Sequence, residues 1–274
     1  MTDASCDWRT RPRAALERGE PLLGTFVKSA DPAVAEILAL AGFDLLVADL
    51  EHSSLGAADV AAIVRAAEAS EVPVLARIPA HALAWAGRLL ETGAIGVQVT
   101  DVVHTQTLSQ LWRATRFPPE GRRSLALSQR DAGFGRIAAA EYLRGARERL
   151  LTVAQIESRA AVAALSELLA SPHQPDVWFI GPFDLSADLG HPGQLEHPDA
   201  ASVLAEILDQ LSRHGARIGV FARDGADAAA WHARGAQFVL ISSDVALLAG
   251  AARSSLAAAR AGLTAAGAEA ARRG

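Results

Sequence analysis

Eight short apolar runs recur along the 274 residues, each followed by a stretch with helical spacing: LLGTFV, DLLVADLE, VPVLARI, GVQVTD, LTVAQIE, DVWFIGP, RIGVFA and FVLISSD. Strands that alternate with helices imply parallel strands joined by right-handed crossovers, and eight such units allow the sheet to close on itself. The expected fold is therefore α/β, a single (β/α)₈ TIM barrel spanning 1–274. An N-terminal extension covers 1–20, a long loop follows the fourth strand, and an extended C-terminal helix runs over about 249–274.

Local signals mark the helix ends. Asp31-Pro32 places a capping carboxylate before a proline at a first helical position, and Val34, Ile37 and Leu38 trace one face leading to Gly42. The pairs Ala41-Gly42, Thr92-Gly93 and Arg234-Gly235 read as helix ends with glycine in the left-handed position, each just before a strand. The stretch 117–135, FPPEGRRSLALSQRDAGFG, is too polar and too rich in Gly and Pro for an ordinary helix. It is expected to be a βα excursion, hence a lid or substrate wall at the carboxyl face, with a surface insertion or subunit contact as the alternative.

Composition narrows the function. Half the residues are hydrophobic, and five Trp, eight Phe and one Tyr leave the core to Ala, Val, Leu and Ile, the side chains that fill barrel interiors. The net charge of −5 comes from interspersed signs, which argues against a nucleic-acid partner and for a small polar substrate. Cys6 is the single cysteine, so neither an intrachain disulfide framework nor a thiolate metal cluster is open to the chain. No run reaches the length of a membrane span, and the first twenty residues lack a secretory apolar stretch. A soluble, cytoplasmic protein is the default expectation. The Ala- and Arg-rich tail suits a helix that frays or docks on a neighbouring subunit.

Polar residues gather where the strands end: Asp49, Glu51 and His52 after the second, Arg77 in the third, Asp101 after the fourth, Gln155 and Glu157 closing the fifth, Asp184 after the sixth, and Ser243-Asp244 ending the eighth. In a barrel these positions converge on one rim. Glu157 and Asp184, on adjacent strands, make a hard oxygen site suited to Mg²⁺ or Mn²⁺, although a lone strand-end acid serves as well in a helix cap or salt bridge. Zinc is less favoured, with His52 or His104 available only for a mixed site. Asp49 lies three residues before His52, close enough to orient the imidazole and raise its basicity. Arg77, inside VPVLARIP, requires an anion when buried, such as a substrate carboxylate or enolate oxygen.

These residues carry a family resemblance. AGFDLLVADLEHSS, PVLARIP, RFPPEGRRS, VAQIES, FIGPFDLSADLG and GAQFVLISSD follow one another as in the HpcH/HpaI-type class II 2-oxo acid aldolases, typified by 4-hydroxy-2-oxoheptanedioate aldolase, and the match spans nearly the whole barrel. The resemblance implies that Glu157 and Asp184 ligate a divalent metal (Mg²⁺ or Mn²⁺, with Co²⁺ a further candidate) and that no organic cofactor is needed. It also implies that Arg77 steadies the enolate oxygen of pyruvate or a close 2-oxo acid, that His52 with Asp49 moves protons through a bound water, and that an aldehyde is the second substrate. Gln155, Gly181, Pro182 and the backbone near Ser124 are then the substrate-binding positions. No Schiff-base lysine is required, and Lys28 is the one lysine of the chain. A homo-oligomer follows, a hexamer with exchanged C-terminal helices.

The chain departs from the family pattern at three places. Glu91 stands in LLETGA where the family has Asp, and if that acid assists the His52 relay the extra methylene alters its reach. Val99-Thr100-Asp101 replaces Val-Pro-Met, and Gly121-Arg122-Arg123-Ser124 replaces Gly-x-Arg-Gly. Asp101 either contacts the acceptor or pairs with Arg122 or Arg123. Oxaloacetate decarboxylation, or capture of the same enolate by another electrophile in biosynthesis, is the enzymatic alternative. A catalytically inactive binding or assembly subunit is the remaining one.

Overall fold

The computed structural model describes residues 7–273, with side chains through 264. Cys6 lies outside the described residues. After a short turn of 3₁₀ helix and α1 (Arg11–Glu17), the chain alternates β1 (Leu22–Val27), α2 (Pro32–Leu40), β2 (Leu45–Asp49), α3 (Ala57–Glu68), β3 (Val74–Pro79), α4 (Ala86–Glu91), β4 (Gly96–Thr100) and α5 (Thr105–Thr115). It continues through α6 (Ala139–Arg149), β5 (Leu151–Ile156), α7 (Arg159–Leu169), β6 (Val177–Ile180), α8 (Pro182–Asp188), α9 (Pro198–Arg213), β7 (Ile218–Ala222), α10 (Gly225–Ala233), β8 (Ala236–Ser243) and α11 (Asp244–Arg273). Each strand pairs in parallel with the next, and β8 pairs with β1, closing the barrel. All eight sequence-predicted strands are present.

The side-chain period of two along each strand divides the residues between two cores. Ala76, Ile78, Val97, Val99, Ala154, Ile156 and Ile180 face outward and pack with the helices, while Leu22, Leu45, Val47, Leu75, Leu151, Val153, Val177 and Phe238 fill the interior. Ala15 and Leu16 of α1 join that interior cluster, so the N-terminal extension closes the barrel's amino end. Followed upward, the interior columns turn polar: Leu45-Val47-Asp49, Leu75-Arg77, Gly96-Gln98-Thr100 and Leu151-Val153-Gln155. The same pleat delivers an apolar plug below and a polar rim above.

Asp31 caps α2 by accepting from the Ala33 amide at 3.0 Å. Gly42, Gly93 and Gly235 take φ of 96°, 104° and 100°, as the helix-end pairs predict. The apolar face of α2 is rotated from the expected one: Ala35, Leu38 and Ala39 are buried and Ile37 is exposed.

The stretch 117–135 is not a βα excursion. An ordinary helix, α5, follows β4 directly and carries the chain back to the amino side before the irregular segment begins. There Arg9 from the N-terminal segment lies 3.9 Å from Asp131, and Arg13 of α1 bonds the carbonyl of Leu150, just ahead of β5. The lid expectation is overturned because α5 reverses the chain's direction. Along α11, Val245, Leu247, Leu248, Leu256 and Leu263 are exposed.

Candidate active site

The rim assembles around Asp49, the last residue of β2, whose side chain is fully buried. Both of its oxygens are engaged by the Arg77 fork, Nε to Oδ1 at 2.9 Å and Nη2 to Oδ2 at 2.6 Å. The backbone amides of Glu51 and His52 add bonds to Oδ1 at 3.1 Å each. Burial pushes the Asp49 carboxyl up, but the Arg77 bonds and charge, the His52 amide and Lys28 outweigh it and hold it below its ordinary value. Arg77 lies against the Phe26 ring, 4.1 Å from its centroid, and its Nη1 donors have no protein partner among the described residues.

That arrangement alters the expected dyad. The Asp49 carboxylate meets His52 only through the His52 backbone N–H, because the arginine fork occupies it. The half-exposed imidazole instead has Nε2 3.7 Å from Glu51 Oε2. Glu51 accepts from the Thr100 hydroxyl at 2.6 Å through Oε1, while its Oε2 is buried without a hydrogen-bond partner. Residues 45, 47, 49 and 51 share a parity, and this was the sequence signal that Glu51 turns inward with Asp49.

Opposite, Gln98 donates to Gln155 at 2.8 Å, Gln155 donates in turn to Glu157 Oε2, and the Asp101 amide donates to Glu157 Oε1 at 2.7 Å. Glu157 is pushed up to about 7 by burial, with the charges of Asp184 and Glu51 adding to the effect against the Asp101 and Gln155 hydrogen bonds. Asp184 sits in the first turn of α8, entered through Gly181 and Pro182. Gly181 is required by space: a Cβ there would lie 2.9 Å from Gln155 Nε2 and 2.9 Å from the Glu157 Cβ. Neither Glu157 nor Asp184 has a cationic partner at ion-pair distance among the described residues.

A cavity of about 190 Å³ opens between these groups, lined by Arg77, Lys28, Gln155, Gly181, Pro182 and Asp184, with Phe26, Phe179, Phe183 and Phe221 as apolar walls. Thus Asp49, His52, Arg77, Gln155, Glu157, Gly181, Pro182 and Asp184 come together at one rim. Three expected residues stand apart. Glu91 ends α4 on the amino side, before β4 begins, so the length of a five-residue strand, roughly 17 Å, separates it from the rim. Ser124 is exposed in the segment after α5. Asp101 is off the inward parity of Gly96, Gln98 and Thr100; its side chain is exposed, its backbone takes φ 51°, and its amide rather than its carboxylate reaches Glu157. Arg123, one of its expected partners, is instead bonded to Tyr142 at 2.9 Å and paired with Asp131.

A second group of potential ligands, His191, His197 and Asp199, lies in the α8–α9 connection and the first turn of α9. Its imidazoles are stacked, with centroids 3.4 Å apart and planes inclined by 18°. Ring nitrogens offer lone pairs in the ring plane, and planes so arranged do not meet within bonding distance of both nitrogens. His197 Nδ1 moreover accepts the Asp199 amide as a helix cap.

A family model for HpcH/HpaI aldolase/citrate lyase matches residues 22–251. The chain belongs to this family. It is 33% identical over 246 residues to a hydroxypyruvate/pyruvate aldolase of Roseovarius nubinhibens, covering 89% of this chain and 95% of that one. It is 33% identical to a 5-keto-4-deoxy-D-glucarate aldolase of Shigella dysenteriae, covering 85% and 90%. The crystal structure of an HpcH/HpaI aldolase/citrate lyase family protein from Burkholderia cenocepacia superposes with a TM-score of 0.84 at 32% identity, covering 92% of this chain and 99% of that one.

Proposed function

We propose that this HpcH/HpaI family member is a carbon–carbon lyase of the divalent-metal-dependent aldolase type, acting on pyruvate or a close 2-oxo acid and an aldehyde. The observation that carries the reading is that Glu157 and Asp184, without a cationic partner among the described residues, stand at the same rim as Arg77, which lines one small cavity with Asp184 and whose Nη1 has no protein partner among the described residues. Glu157 and Asp184 fit a resident Mg²⁺ or Mn²⁺: both offer hard oxygens, and burial together with mutual repulsion makes Glu157 hard to ionise unless a cation is supplied. When bound there, the ion supplies Lewis acidity toward the oxygens of a 2-oxo acid, which acidifies the C3 proton.

The chain's own groups do the rest. Gln155, fixed by Gln98, holds one oxygen of Glu157, and the Asp101 amide holds the other. Asp49 holds the Arg77 guanidinium in place against Phe26 through Nε and Nη2, which leaves Nη1 to stabilise negative charge on the substrate's keto oxygen. His52, beside Glu51 at the solvent edge, exchanges protons with water and the aldehyde oxygen. The phenylalanine walls keep the small cavity dry. The relatives named as aldolases support this reading, and the exposed leucines of α11 suit the homo-oligomer expected from the resemblance.

The test is pyruvate release from short 4-hydroxy-2-oxo acids with Mg²⁺, Mn²⁺ or Co²⁺. Turnover that disappears with chelator and in Glu157→Gln is expected. Turnover equal with and without chelator contradicts the metal assignment.

A further inference from the structure

A second cavity, of about 300 Å³, opens on the amino side of the barrel between the end of α5, the residues that follow it, and α6. Arg13, Arg116 and Arg147 line it with Trp112, Phe117 and Leu143, and it shares no residue with the rim cavity. Two of its three guanidiniums are committed: Arg13 to Asp176 at 2.9 Å and Glu17 at 3.2 Å, Arg147 to Glu120 at 2.8 Å. Arg116 has no carboxylate at ion-pair distance among the described residues. Asp176 is taken up by Arg13 and Thr152, and Glu120 by Arg147. An arginine side chain carries five N–H donors, and the hydrogen bond that Arg116 makes with protein is Nη1 to the Thr115 hydroxyl, at 3.3 Å. The half-buried guanidinium is nonetheless held in place, its central carbon 3.4 Å from the Trp112 ring centroid. That indole is anchored in turn by donating to the Glu120 carbonyl at 3.0 Å, and the Arg116 carbonyl accepts the Arg123 amide at 2.9 Å. Burial pushes the Arg116 pKa below the ordinary arginine value, against the pull of Asp176.

We propose that this amino-side cavity is a second ligand site, which binds an organic monocarboxylate through the Arg116 guanidinium and packs the ligand's apolar body against Phe117 and Leu143. A guanidinium stacked on an aromatic face keeps its N–H donors in its own plane, where they match the two oxygens of a carboxylate. Glu120 and Asp176 both act on the Arg116 charge, and at that range they oppose a second negative charge on the ligand, which disfavours a phosphate dianion. Aromatic and aliphatic lining beside one anchoring cation suits a ring or short hydrocarbon chain, and the volume is that of a small-molecule pocket at the lower end of the usual range. The site stands at the opposite end of the barrel from the rim, so the proposal does not depend on the aldolase reading.

Ligand-observed NMR titration with benzoate, in saturating pyruvate and Mg²⁺ to occupy the rim, tests this. Wild-type protein is expected to bind benzoate saturably and to bind uncharged benzamide about tenfold or more weakly, a comparison that needs no variant. Arg116→Gln should weaken benzoate by a similar factor. Leu143→Trp, which fills the cavity and keeps the arginine, should abolish binding while circular dichroism shows an intact fold. Absence of saturable benzoate binding to wild type overturns the proposal, as does binding that pyruvate displaces or that both variants leave unchanged. Phenyl phosphate binding more tightly than benzoate would overturn the carboxylate assignment. Loss of an oligomer in Arg116→Gln, with no benzoate bound by wild type, would give the guanidinium a carboxylate of another subunit and overturn the ligand site.

Discussion

The two ends of the barrel both bury charge, and they do so differently. On the amino side, Asp131 takes Arg149 at 2.7 Å and Tyr142 at 3.0 Å, with Arg123 at 3.4 Å, so one carboxylate answers two buried guanidiniums. The Phe117 ring covers Arg123 at 4.6 Å. At the carboxyl rim the balance is inverted: the half-buried Glu157 and the exposed Asp184 share a neighbourhood with Glu51 and have no cationic partner at ion-pair distance among the described residues. Buried charge alone does not mark chemistry, since these amino-side charges compensate one another. The amino-side cluster ties the 117–135 segment to α6, whereas on the proposed reading the rim acids take a cation from outside the chain.

That contrast predicts separable losses. Glu157→Gln or Asp184→Asn is expected to lower metal-dependent turnover by about a thousandfold or more, since several kcal/mol of charge stabilisation are removed. Circular dichroism should show an intact fold. Asp131→Ala should do the reverse, costing about 3–5 kcal/mol in denaturant unfolding because it strands two buried arginines, while the folded fraction keeps its turnover. Equal damage to both properties by both changes would erase the distinction.

The pH response sharpens it. Because Glu157 titrates near 7 in the folded chain and near 4.5 unfolded, the metal-free fold binds an extra proton between those values. Its stability therefore falls as pH rises through that window, and above it Glu157→Gln should be more stable than wild type, on the order of 1–3 kcal/mol. Metal affinity should rise across the same range, with proton release visible by calorimetry in buffers of different ionisation heat.

The smallest effect belongs to Asp101. Its backbone amide holds Glu157 from a left-handed conformation, so Asp101→Gly should match wild-type thermal stability and Asp101→Ala should lose about 1 kcal/mol. An altered acceptor profile in Asp101→Ala, with pyruvate chemistry preserved, would show instead that its carboxylate meets substrate.

Much of this was legible in the sequence, because the pleat and the strand–helix alternation are properties of the chain itself. The eight runs gave the strands, and strand-end positions placed Asp49, Arg77, Glu157 and Asp184 at one rim. What failed did so for identifiable reasons. The polarity of 117–135 does not show which face it lies on; that is decided by TQTLSQLWRAT, which as α5 returns the chain to the amino side first. Glu91 falls away from the rim because α4 runs antiparallel to the strands and ends at the amino side. The Asp49–His52 spacing predicts proximity correctly but not which atoms meet, since the competing Arg77 fork comes from another strand. Glu51 and Lys28 needed only the parity of their strands to be followed to the end.

The most direct measurement is exchange of the pyruvate methyl protons in D₂O, followed by NMR with Mg²⁺ or Mn²⁺. Exchange that requires the metal, stops with chelator, and is lost in Glu157→Gln but kept in Asp131→Ala is the predicted result. Exchange at wild-type rate in chelator or in Glu157→Gln, or none with any divalent metal, would contradict the central claim.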